Sequence, residues 1–124
     1  MSGGPTWITV CDTCKRPGWT GSEGATDGAL LAGHLDDAAS QRPNVHVRRH
    51  SCLMGCPRAC NIAIQAQGKL AYTLAEFTPD RAAADAIAAF AALHAKSDTG
   101  QVPYRTWPDG VRGHFVTRHP PLPE

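Results

Sequence analysis

The chain has 124 residues, and its 12 Lys and Arg against 11 Asp and Glu give a formal net charge of +1 at pH 7. A chain of this length forms one hydrophobic core, and its near-neutral charge disfavours binding to nucleic acid or to an anionic membrane, because both require clustered positive charge. No apolar segment approaches the roughly 20 residues that span a bilayer. Residues 1–10 lack the basic segment followed by a hydrophobic one that a signal peptide has. We therefore expect a cytoplasmic protein with one folded domain.

The amino-terminal part predicts a strand, a loop and a helix. A β-prone run at 7–10 ends directly before Cys11. Segment 15–27 is rich in Gly and Pro and predicts a loop. Asp27 can cap a helix that ends near residue 41. The inner face of this helix carries side chains at i, i+4 and i+7 spacing: Leu31, Leu35 and Ala38.

The middle of the chain predicts three further strands and a second helix. Apolar and polar residues alternate over 45–48, which indicates a second strand. Segments 61–66 and 70–77 predict the third and fourth strands, joined by a tight hairpin at 67–69. A Thr-Pro pair opens an alanine-rich helix over 78–96. Its expected inner face consists of Ile87, Phe90, Ala91 and His94.

These elements give an α/β fold. The order β-α-β-β-β-α within residues 1–100 is satisfied by a two-layer, thioredoxin-like mixed sheet in which the first two strands are parallel. Residues 101–124 carry five of the ten prolines and three aromatic residues. They predict a C-terminal arm that packs through its aromatic side chains, on the same domain or on a second subunit of a homodimer.

The five cysteines fall into two groups, each directly after a predicted strand. Their odd number and tight spacing argue against a disulfide scaffold and favour metal or redox chemistry. Parallel first and second strands would bring both groups to the same edge of the sheet, where four thiolates could converge. Four thiolates suit either a [2Fe-2S] cluster or one tetrahedral zinc ion. The groups are C-x2-C at Cys11 and Cys14, and C-x3-C-x3-C at Cys52, Cys56 and Cys60.

The same motifs carry a family resemblance. CDTC at 11–14, CLMGCPRAC at 52–60, a hairpin at Gly68 followed by Tyr72, and the Pro-rich basic tail resemble the bacterial domain-of-unknown-function family 1636, whose members are described as predicted metal-binding proteins. The element order with cysteines after the first two strands resembles the thioredoxin-like [2Fe-2S] ferredoxins. The ligands that this second resemblance implies are Cys11, Cys14, Cys52 and Cys56.

The resemblance to ferredoxins implies a small electron-transfer protein that carries one [2Fe-2S] cluster and serves a redox partner protein. Cys60 is then expected to be a spare or buried thiol, with ligation as the alternate role. The loop at 15–27 would cover the cluster. Basic residues beside the cysteines would raise its potential and dock an acidic partner. The residues expected to do so are Arg48, Arg49 and Arg58.

A second function stays open at this point. Zinc uses the same four sulfurs, and a structural zinc site would make the chain an interaction module. The resemblance to the family of unknown function also implies a metal-handling role, linked to cobalamin or metal-cofactor synthesis and to an enzyme of that synthesis.

Catalysis by the chain alone is disfavoured. The CDTCK segment at 11–15 resembles a thioredoxin redox motif, but Pro17 and Gly18 prevent the helix whose N-terminus would stabilise a reactive thiolate. No phosphate-binding loop and no hydrolase motif is present in the sequence. We therefore expect a protein that is not itself an enzyme.

Two histidines are singled out. His50 stands two residues before Cys52 and could enter a mixed Cys-His site, although a polar neighbour at a strand end is the simpler interpretation. His94 lies on the apolar face of the second helix, and we expect it to be a hydrogen-bonded core histidine.

Overall fold

A computed structural model of the chain describes residues 5–11, 26–50 and 60–121. Within these residues the elements are β1 (Thr6–Cys11), α1 (Asp27–Ala39), β2 (Val45–His50), β3 (Ile62–Gln65), β4 (Ala71–Leu74), α2 (Arg81–Lys96), a 3-10 turn (Tyr104–Thr106) and β5 (Phe115–His119). The predicted order β-α-β-β-β-α is confirmed, and one strand follows it.

The described strands form one mixed sheet in the order β2-β1-β3-β4-β5. β1 and β2 are parallel, as the sequence predicts, and their register runs from Thr6 opposite Val45 to Cys11 opposite His50. The pairs β1–β3, β3–β4 and β4–β5 are antiparallel. The α/β fold class is therefore confirmed, and the arrangement is compatible with a thioredoxin-like fold.

Both helices lie on one face of the sheet and contact each other there. The expected inner face of α1 is buried, as is that of α2. Strand side chains meet these helices at alternating positions, so that Ile8 and Val10 of β1 are fully buried in the hydrophobic core. Neither α1 nor α2 is long and apolar enough to cross a membrane.

The observed N-cap residue of each helix lies one or two positions from the predicted N-cap residue. Thr26, not Asp27, caps α1, and its hydroxyl accepts a hydrogen bond from the Ala29 N–H at 3.1 Å. Asp27 occupies the first turn, where a negative charge interacts favourably with the helix dipole. Asp80 caps α2 by accepting from the Ala83 N–H at 2.8 Å, so the Thr-Pro pair at 78–79 precedes the helix.

The C-terminal arm packs on the sheet of the same chain through β5 and through aromatic contacts. Trp107 donates its indole N–H to the Val102 carbonyl at 2.8 Å and meets Phe90 of α2 edge to face. The hydroxyl of Tyr72 accepts from the Val102 N–H at 3.0 Å, within the core. The predicted aromatic packing is confirmed. The strand Phe115–His119 was not predicted.

Candidate metal centre

The cysteine-rich segments both begin at one edge of the sheet. β1 ends at Cys11 and β2 ends at His50, and these two residues are opposite each other in a parallel pair. The strands that precede segments 12–25 and 51–59 therefore end side by side at the same edge of the sheet. The parallel pairing on which the predicted convergence depends is confirmed, and the convergence of the cysteines themselves stays a prediction.

The described chain resumes at this edge after the second segment, at Cys60. Asn61, the residue after Cys60, accepts a hydrogen bond at its carbonyl from the Cys11 N–H at 3.3 Å. β3 then runs antiparallel to β1, with Ile62 opposite Val10. The backbones of Cys11 and Cys60 thus lie close together in space, although α1 and β2 separate the two residues along the chain.

The two described cysteines have different surroundings. Both are fully buried. Cys60 belongs to the hydrophobic core, and its carbonyl accepts from the Phe77 N–H at 3.4 Å. Cys11 lies on the other face of β1 from Val10, because side chains alternate along a strand. The expectation that Cys60 is buried is confirmed, whereas its role as a spare or as a ligand stays a prediction.

The other predicted ligands lie outside the described residues: Cys14, Cys52 and Cys56. The loop expected to cover the site, except for its last two residues, and Arg58 also lie outside them. In the part of the chain that the structure describes, no group of three or more His, Cys, Asp or Glu side chains could hold a metal ion. The described thiols fit a metal centre in their chemistry and in their place at this edge, but they supply only two of the five.

Arg48 and Arg49 lie on opposite faces of β2. Arg48 donates from Nε to the Thr9 hydroxyl at 2.6 Å and from Nη2 to the Gln65 side-chain oxygen at 3.1 Å, on the face that carries Cys11. Arg49 pairs with the Asp36 carboxylate of α1 at 2.6 Å. Of the two, Arg48 is the one that shares a face of the sheet with Cys11.

The buried histidine, His94, lies at the opposite end of β1 from Cys11. His94 donates from Nε2 to the Leu70 carbonyl at 2.6 Å, and its Nδ1 lies 2.7 Å from the hydroxyl of Thr6, the first residue of β1. Burial lowers the pKa of His94, and the nearby Lys69 charge acts in the same direction. His94 is therefore a neutral, hydrogen-bonded core residue, as predicted.

Lys69 is a buried residue that the sequence analysis treats only as part of a hairpin. Its ammonium donates to the carbonyls of His94 at 3.3 Å and Ala95 at 2.9 Å. These are among the last carbonyls of α2, which lack partners within the helix. Its position directly after Gly68 indicates a turn and gives no sign of this contact, because the contact forms only when α2 packs beside the hairpin.

The fold and this edge define a small mixed α/β protein whose cysteine-rich segments start from adjacent strand ends. The chain belongs to the family described as "Protein of unknown function (DUF1636)", whose model matches residues 8–121. No curated protein and no solved structure matches the chain. The resemblance to this family of unknown function is thus confirmed, whereas the resemblance to the [2Fe-2S] ferredoxins stays a prediction.

Proposed function

We propose that the chain is a small electron-transfer protein that carries one [2Fe-2S] cluster on four cysteines and passes electrons to a redox partner in the cytoplasm. The ligands would be Cys11, Cys14, Cys52 and Cys56. The observation that carries the proposal is the register of Cys11 opposite His50, since it starts both cysteine-rich segments at one edge. When bound, such a cluster takes up and releases one electron.

Of the proposed ligands, Cys11 is the one that lies in a described strand. It ends a strand that is paired on both sides, with β2 and with β3, and its N–H is held by the Asn61 carbonyl. A ligand on a rigid element is placed more reproducibly than a ligand on a loop. Its complete burial also keeps water away from the sulfur.

Arg48 supports a centre that is negatively charged. Its guanidinium lies on the same face of the sheet as Cys11, and its described partners are the neutral oxygens of Thr9 and Gln65. A positive charge held near an all-cysteine cluster favours the reduced form, because reduction adds a negative charge. Arg48 would therefore raise the potential of the bound group.

A matched pair of cysteine variants tests the proposal. Protein purified without oxygen is analysed for iron and acid-labile sulfide after Cys52→Ala and after Cys60→Ala. We expect Cys52→Ala to lose the cluster and Cys60→Ala to keep it, because Cys60 packs in the hydrophobic core. Full cluster occupancy in Cys52→Ala would overturn the ligand set.

Zinc is the competing occupant of the same thiolates. One equivalent of zinc without sulfide in the unsubstituted protein would replace electron transfer with a zinc-stabilised or metal-handling module. Circular dichroism of each variant distinguishes loss of the metal from loss of the fold.

A further inference from the structure

One face of the sheet is not covered by either described helix. We call it the open face, and it is the face that carries Cys11. Register and alternation place exposed side chains on it, together with the buried Thr9 and Cys11. The exposed ones include Trp7, His46, Arg48, His50, Gln65 and His119. Both helices pack against the opposite face, where the apolar side chains of β1 and β3 meet the core.

Charge is distributed unequally between the two layers. None of the five described strands contains an Asp or a Glu, whereas α1 carries three Asp residues. On the open face the permanent charge of the described residues is that of Arg48, accompanied by the imidazoles of His46, His50 and His119. Acidic residues on the helical layer already have arginine partners, as in the Asp36–Arg49 and Asp85–Arg81 pairs.

Among the described residues, the guanidinium of Arg48 is held in place by uncharged side chains only. Thr9 and Gln65 fix its Nε and one Nη2 hydrogen, and among the described residues no carboxylate lies within salt-bridge distance. An arginine has five N–H donors, so three of those on Arg48 have no partner among the described residues. Because its side chain is already ordered, binding a carboxylate would cost little conformational entropy.

Trp7 supplies an apolar contact next to this charge. Its side chain is 40% exposed and packs against the His46 ring with a centroid distance of 4.9 Å. Trp7 and Thr9 are on the same face of β1, and Arg48 is opposite Thr9 on β2. The indole of Trp7 and the guanidinium of Arg48 are therefore on adjacent strands of the open face, two residues apart in register. Tryptophan and arginine are the residue types that most often dominate the binding energy of protein interfaces.

We propose that the open face docks a protein partner whose surface presents carboxylates, with Trp7 as the apolar anchor and Arg48 as the carboxylate-binding group. The inference extends the proposed function, because Cys11 follows Thr9 on the same face of β1. Nucleic acid fits less well, since one arginine offers few phosphate contacts. A second copy fits less well, because a two-fold interface would bring the same face of both copies together, and the described strands offer no carboxylate to Arg48.

Amide and indole NMR shifts of the full-length, as-purified protein test this docking surface. The probe is acetylated decaglutamate, with decathymidylate as the comparison. We expect decaglutamate to shift the Trp7 indole and the Arg48 amide, with an affinity that falls as salt is added. Arg48→Glu is expected to weaken binding about tenfold. Arg105→Glu, the same charge change at an exposed position outside the sheet, is expected to leave it unchanged.

Three results would overturn the docking proposal. They are tighter binding of decathymidylate to the open face, concentration-dependent shifts of Trp7 without any probe, and no shift on this face with decaglutamate. The readout is binding and not metal content, so a failure here is distinct from a failure of the cluster assignment, which iron and sulfide analysis detects.

Discussion

Cys11 and His50 are the last residues of two parallel strands and are opposite each other in register. Cys11 is fully buried, whereas His50 is exposed. The pair therefore marks a position where a buried cysteine lies beside the strand end that precedes the second cysteine-rich segment. This relationship is the structural observation on which the proposed metal centre rests.

The stability of the protein is expected to fall in mild acid because of His94. Burial lowers its pKa in the folded state, while in the unfolded chain a histidine titrates near 6.5. Between the two pKa values the unfolded state binds more protons, so the contribution of the neutral imidazole is complete above about pH 6.5 and is lost as the pH falls below it. We expect the free energy of unfolding to decrease by at most about 1.4 kcal/mol per pH unit from this group.

Urea unfolding between pH 7.5 and 5.5 measures this dependence. His94→Gln is expected to flatten the slope, although it also lowers the stability by removing the contacts to Thr6 and Leu70. His46→Gln, at an exposed position, is expected to keep the slope of the unsubstituted protein. An unchanged slope in His94→Gln would show that another group is responsible.

Two glycines are predicted to respond to alanine with opposite signs. Gly100 has a φ of +85°, and a Cβ there would lie 2.7 Å from the Leu70 backbone nitrogen. Gly100→Ala is therefore expected to cost about 2–4 kcal/mol. Gly33 is an exposed position within α1 with nothing within 4 Å of an added Cβ. Gly33→Ala is expected to stabilise by about 0.5–1 kcal/mol.

Thermal and urea unfolding of both glycine variants provide the comparison. Equal stability of Gly100→Ala and the unsubstituted protein would mean that the connection between α2 and the 3-10 turn does not approach Leu70 as described.

The hydroxyl of Tyr72 is predicted to stabilise the C-terminal segment. It accepts a hydrogen bond from the N–H of Val102, which is only 4% exposed. Tyr72→Phe would leave that buried donor without its acceptor, at a cost of about 1–3 kcal/mol. Tyr104→Phe is the control, because Tyr104 is 62% exposed, and we expect a change within about 0.5 kcal/mol. The free energy of unfolding in urea measures both, and equal values for the two variants would contradict the assignment.

Much of the fold follows from periodicity in the sequence. The apolar spacing of Leu31, Leu35 and Ala38 predicts the buried side of α1, and the alternation at 45–48 predicts β2. The predicted caps differ from the observed ones because Thr and Asp can both cap a helix, and the local sequence does not select among candidates one or two residues apart. β5 was missed because its sequence, Phe-Val-Thr-Arg-His, has no clean alternation, and its pairing with β4 contains a register shift.

The candidate site is predictable to a smaller extent. The parallel pairing of β1 and β2 follows from their order and connection, and it places both cysteine groups at one edge. The different surroundings of Arg48 and Arg49 depend on which face the helices cover and on Asp36 of α1, which is 13 residues away along the chain. Such tertiary contacts cannot be read from charge alone. The positions of Cys14, Cys52 and Cys56 stay predictions.

Iron and acid-labile sulfide analysis of the unsubstituted protein, purified without oxygen and combined with a visible absorption spectrum, tests the central claim most directly. A [2Fe-2S] carrier is expected to contain equal amounts of iron and sulfide, two of each per chain, and to show a reddish chromophore that bleaches on reduction. Colourless protein with one equivalent of zinc and no sulfide would contradict the electron-transfer account.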